Sequence, residues 1–110
     1  MNKKVFVINR SGCQVCEMLG YELKYVHNID FTSFSSNQTP EIFGDFQRHF
    51  RIDRFPVVQV DNGKDLITIH WDSAFIDNQS GPGGKPQHPY IKVNSVLPEM
   101  VNKTLELLKD

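Results

Sequence analysis

The sequence predicts an α/β fold: a four-stranded mixed sheet flanked by three helices, in the order β-α-β-α-β-β-α. Three observations carry it. An apolar run at residues 5–8 gives way at once to a helical periodicity, "TPEIFGDFQRHF" reads as a second amphipathic helix, and "FPVVQVDNGKDLITIHW" reads as an antiparallel hairpin. A strand, a crossover helix and a second strand form a right-handed parallel unit, which the hairpin extends antiparallel with helices on both faces.

The elements follow in order. Val5, Phe6, Val7 and Ile8 are consistent with a strand buried on both faces, stopping at "NRSG". From Cys16, apolar residues fall at Leu19, Leu23 and Val26, so Cys16 points inward while Cys13 lies at the first turn of that helix. "NIDFTSF", residues 28–34, is predicted as the second strand. The second helix has Thr39 as N-cap and Pro40 at its first position, with Ile42, Phe43, Phe46 and Phe50 on one side. In the hairpin, Asn62-Gly63 is a dipeptide that accepts positive φ at both central turn positions. Residues 72–89 show no periodicity and are rich in Gly and Pro, which predicts a long loop. A short extended piece at 90–93 follows, then a terminal helix whose inner face is Leu97, Val101, Thr104, Leu105 and Leu108, with Ser95 as cap.

A chain of 110 residues is expected to be one domain, 1–110, able to bury a core without covalent staples. A formal net charge of -1 and 39% hydrophobic content call for neither nucleic acid nor an anionic membrane. The apolar run after "MNKK" is too short for a signal peptide, so the expected location is cytoplasmic. In a reducing cytosol a close cysteine pair is catalytic or metal-binding rather than a structural staple.

Cys13 and Cys16, in "SGCQVCEML", are the only cysteines. On a helix, Cβ atoms three residues apart lie roughly 5 to 6 Å apart, against about 3.5 to 4.5 Å for a disulfide, so the sulfurs meet with some strain. The positive end of the helix dipole, with Arg10 nearby, favours a Cys13 thiolate. A pKa drop from about 8.5 to about 7 raises the thiolate fraction at neutral pH from roughly 3% to roughly 50%. Lower intrinsic nucleophilicity leaves roughly a threefold gain in attack, and Cys13 becomes a good leaving group when Cys16 resolves the mixed disulfide. C-x-x-C beside a βαβ pattern is the thioredoxin-like redox signal.

On these residues the sequence resembles the thioredoxin superfamily, and its small glutaredoxin-like branch most of all, over residues 3–71. "NRSGCQVC" is similar to the branch's pattern of a lysine three before the first cysteine, with Arg10 in the lysine's place. "FPVV" falls where the family opens its third strand with a cis-proline, and the NG hairpin follows where antiparallel strands belong. The resemblance implies that Cys13 attacks, Cys16 resolves, Pro56 is a cis-proline facing them, and Arg10, Phe55 and Val57 contribute to substrate binding, the Phe55 backbone pairing with an extended substrate. W-C-G-P-C and C-P-Y-C are absent. Gln14 and Val15 look more like the NrdH redoxins, which deliver electrons to ribonucleotide reductase and whose later Trp and Phe find a loose echo in Trp71 and Phe75. Gly83-Gly84 lie too early to match the glutaredoxin diglycine that holds glutathione.

Other signals are weaker. His27, His49, His70 and His88 are spaced too widely for a Cys2His2 zinc module. "GPGGKP" fails a Walker pattern at Gln79 and Pro86. Asn37, Asn78 and Asn102 start N-x-S/T triplets that carry nothing in a cytosolic chain. Trp71 either packs under the 72–89 loop or faces a partner. The expectation is therefore a cytoplasmic dithiol-disulfide oxidoreductase with no bound metal or cofactor. A protein disulfide such as that of ribonucleotide reductase is its substrate, and thioredoxin reductase or glutathione resets it. The alternatives are a glutathione-dependent thiol transferase and a non-catalytic thioredoxin-fold module that binds a protein.

Overall fold

The computed structural model describes residues 3–73 and 89–109. The predicted loop at 72–89, with Phe75, Asn78, Gly83, Gly84 and His88, lies outside the described residues except at its ends. The strands are β1 (Lys4–Asn9), β2 (Thr32–Ser35), β3 (Val57–Asp61), β4 (Leu66–Trp71) and β5 (Tyr90–Val93), and the helices α1 (Gln14–Tyr21), α2 (Pro40–Phe50) and α3 (Val101–Leu108). They form an α/β arrangement with one mixed sheet in the order β2-β1-β3-β4-β5. β1 pairs parallel with β2 and β4 with β5, whereas β3 is antiparallel to both β1 and β4. The central strand thus runs against the other four.

The sheet has five strands, not the four predicted. Residues 90–93 lie parallel on β4, with Thr68 opposite Tyr90 and Trp71 opposite Val93. Parallel neighbours need a long crossover and leave no local turn signature, so this pairing is invisible to hairpin reasoning.

Successive strand residues face opposite sides, and each side carries its own core. Val5 and Val7 of β1, Val58 and Val60 of β3 and Ile69 of β4 pack with Leu19, Leu23, Val96, Met100 and Val101 of the first and last helical segments. On the other side Ile8 and Val57 pack with Phe43, Phe46 and Phe50 of α2, joined by Ile52, Phe55 and Cys16. Helices therefore cover both faces. The α2 side also buries a polar pair: Gln59 Nε2 donates to Thr68 Oγ1 at 3.1 Å across β3 and β4. With its hydrogen bond made, this pair avoids most of the cost of burying polar atoms.

Several local expectations shift. α1 widens into a π-helical turn at Glu22–Val26, where His27 N donates to Glu22 O at 3.1 Å. The segment stops at Asn28, which adopts φ 56° while Ile29 N donates to Leu23 O at 2.8 Å, a left-handed helix stop. The second strand accordingly begins at Thr32, not Asn28. In the hairpin only Gly63 takes positive φ, at 90°, because the turn spans four residues. Asn62 Oδ1 accepts from Lys64 N and Asp65 N, and Asn62 N donates to Asp65 O. Ile42 is 48% exposed, off the buried side of α2. At the C-terminus, Leu97 is extended (φ -122°, ψ 133°) before a cis Leu97–Pro98 bond. The buried face there is Val96, Met100, Val101 and Thr104, with Leu97, Leu105 and Leu108 at its margin. Among the described residues no helix is long and apolar enough to cross a membrane.

Candidate active site

The two cysteines sit where β1 hands over to α1. Gly12, at φ 77°, lets the chain turn sharply, and Cys13 N donates to Arg10 O at 3.3 Å across that turn. Cys13 is the N-cap of α1 with extended backbone (φ -92°, ψ 103°), one step outside the first turn where the spacing placed it. Its Sγ accepts from Cys16 N at 3.1 Å, taking one of the backbone donors that a helix start leaves unsatisfied. The geometry is the one that would stabilise an anionic sulfur after reduction.

Cys13 and Cys16 are joined as a disulfide, with Cα atoms 5.2 Å apart. The two sulfurs differ in access: Cys16 is 3% exposed and belongs to the α2-side core, whereas Cys13 is only half-buried. A partner sulfur can reach Cys13 directly. Cys16 is accessible only to its neighbour.

The Phe55–Pro56 bond is cis, as the resemblance implied, and the segment lies against the disulfide: the Phe55 carbonyl oxygen is 4.0 Å from Cys13 Sγ. Buried Phe55 holds this position by packing on Phe43, with ring centroids 4.7 Å apart, and on Phe46. Val57 is fully buried, its side chain facing the core on the α2 side. Arg10 reaches over Phe55, its Cζ 5.3 Å from the ring centroid, a cation–π contact. The structure therefore brings Arg10, Cys13, Cys16, Phe55 and Pro56 together.

The other flank of the disulfide is a polar cleft of about 270 Å³, which sequence reasoning missed. Asn9, Ser33, Ser35, Asn37 and Gln38 line it with both cysteines, Arg10 and Glu17. Asn9 Nδ2 donates to Ser33 Oγ, and Asn9 Oδ1 is buried without a partner among the described residues. Ser35 Oγ donates to Asn37 Oδ1 at 3.0 Å and accepts from Gln38 N at 3.1 Å, which fixes the β2–α2 turn. The "SFSSNQ" run was the available signal, but only the parallel β1–β2 pairing brings it beside the cysteines.

The remaining sequence candidates scatter. His27 and His49 are exposed, His49 edge-on to the Phe50 ring, while His70 is 2% exposed within β4. Among the described residues no group of three or more His, Cys, Asp or Glu side chains is placed to hold a metal ion. Trp71 packs against the core beside β5, while the loop it was expected to lie under falls outside the described residues. Compared with family models, curated proteins and solved structures, the chain gives no match.

Proposed function

We propose that this protein is a small thioredoxin-like, glutaredoxin-like dithiol-disulfide oxidoreductase. The observation that carries the reading is the disulfide itself: Cys13–Cys16 at a helix start, one sulfur reachable and one buried, with the carbonyl before a cis-proline 4.0 Å from the reachable sulfur. In the reduced protein the Cys13 thiolate attacks a substrate disulfide and expels one substrate sulfur. Cys16 then displaces the other, closing the protein disulfide and leaving two substrate thiols. The helix start and Arg10 favour the Cys13 anion, which makes it both attacker and leaving group. The Phe55 carbonyl supplies a backbone acceptor beside the reacting sulfur.

The test uses reduced protein and a model disulfide. Cys13→Ser should abolish reduction, and Cys16→Ser should stop at a mixed disulfide on Cys13, visible by mass spectrometry. Turnover with thioredoxin reductase and NADPH, compared with turnover on glutathione, separates an electron donor such as one serving ribonucleotide reductase from a thiol transferase. Wild-type protein that reduces no disulfide would falsify the reading.

A further inference from the structure

The segment that carries the Phe55 carbonyl to the disulfide belongs to no helix or strand. It leaves α2 at Arg51 and enters β3 at Val57. Ile52 and Phe55 anchor it on one side, both buried in the α2-side core. On the side of β4 the backbone ladder stops short of it. The β3–β4 pairing ends at Val58 and Ile69, and Pro56 has no N–H with which to carry it further.

A side-chain bond takes over where the ladder stops. Ser73 is fully buried, just past the end of β4, and its Oγ donates to Asp53 Oδ1 at 2.9 Å. Both stretches bend into this contact through left-handed backbone. Arg51 ends α2 at φ 54° and ψ 49° without being glycine, and Asp72, next to Ser73, has φ 44°. Asp tolerates that region better than most residues, but for any side chain it is unfavourable and persists where the surroundings over-determine it. The two bends converge on one hydrogen bond, a charge-assisted one and so among the stronger kinds between side chains. Asp53 in turn lies two residues from Phe55, whose carbonyl oxygen is 4.0 Å from Cys13 Sγ.

We infer that Asp53 and Ser73 are positioning residues: their hydrogen bond ties the end of β4 to the segment beside the disulfide and holds the Phe55 carbonyl where an extended substrate pairs with it. Neither residue acts on a sulfur. A carbonyl that occupies the competent position only part of the time binds more weakly by that fraction. The inference rests on the oxidoreductase reading and adds a selectivity to it. The tie serves disulfides carried on a peptide backbone and does nothing for small ones, which have no backbone to pair.

The experiment follows single turnovers of pre-reduced protein against two disulfides: a synthetic peptide extended on both sides of its cysteine, and bis(2-hydroxyethyl) disulfide. Ser73→Ala, which deletes only the hydroxyl oxygen, and Asp53→Ala should each raise the half-saturating peptide concentration about tenfold. The limiting rate should stay within about twofold of wild type, as for a carbonyl in place about a tenth of the time. The small disulfide, and iodoacetamide acting on Cys13 across the pH range of thiol titration, should react at wild-type rates in both variants. Asp53→Asn keeps an acceptor oxygen without the charge and should return the peptide value to within about threefold of wild type. The double Ala variant should be no worse than either single one. Urea unfolding shows which variants keep the fold, and if Asp53→Ala does not, Ser73→Ala and Asp53→Asn decide. An unchanged peptide value in Ser73→Ala, loss of the fold in that variant, equal losses on both disulfides, or effects that multiply in the double variant overturn the inference and leave the oxidoreductase reading standing. Wild-type protein that reduces neither disulfide removes that reading, and the positioning role with it.

Discussion

Tyr90 begins β5 with its phenol half-buried, and its hydroxyl donates to the Phe50 carbonyl oxygen at 3.4 Å. Burial disfavours the phenolate and raises its pKa above the usual 10.0. The unfolded chain gives up this proton at lower pH than the folded one. The stabilisation is therefore fully present below pH 10 and is lost as the pH climbs through the raised folded value. An absorbance titration should show a phenol transition above pH 10 that disappears in Tyr90→Phe, together with a shallower alkaline loss of stability in that variant. At this scale the sequence was informative where chemistry is local. The Cys13–Cys16 spacing and its position after β1 were readable, whereas Asn9 and Ser33 became neighbours only through strand pairing. Ile42 was misplaced for a related reason: apolar character says a side chain prefers burial, not which side of a helix the sheet will cover.

The element that most directly supports the site is α2. Phe46 is 7% exposed, packs on Phe50 with centroids 4.9 Å apart, and reaches Phe55 at 6.5 Å. Phe43 completes the cushion beneath the ring that carries Arg10. Phe46→Ala removes an aromatic from this contact and should cost about 3–5 kcal/mol of stability, measured by urea unfolding. Ile42→Ala, at an exposed position, should cost much less. The start of α2 was legible from "TP" because proline needs no donor partner there. Thr39 nevertheless turns its hydroxyl back, accepting from Ser35 N at 2.8 Å and donating to Ser35 O at 3.1 Å, rather than capping its own helix. The terminal helix was read correctly in kind but not in its entry, since Leu97 is extended before Pro98, as residues preceding proline tend to be.

Across the whole molecule, two aliphatic and aromatic layers sandwich a sheet whose middle strand is mostly valine. Val57, Val58 and Val60 are fully buried, and the buried Gln59 between them is bonded to Thr68. The alternation of helical and strand patterns was enough to predict helices on both faces, because each amphipathic segment needs a surface to cover. What alternation could not supply was the fifth strand, whose pairing is set by contacts distant in sequence. That pairing has a consequence for the order of assembly. Because β5 runs the same way as β4, the chain must travel back along the sheet before Tyr90 can meet Thr68, and such long returns lose more freedom than a hairpin does. The outer strand is thus laid down late and released early. In a native-state deuterium-exchange time course, the amides of residues 90–93 should surrender their protons well before those of Val58 and Val60.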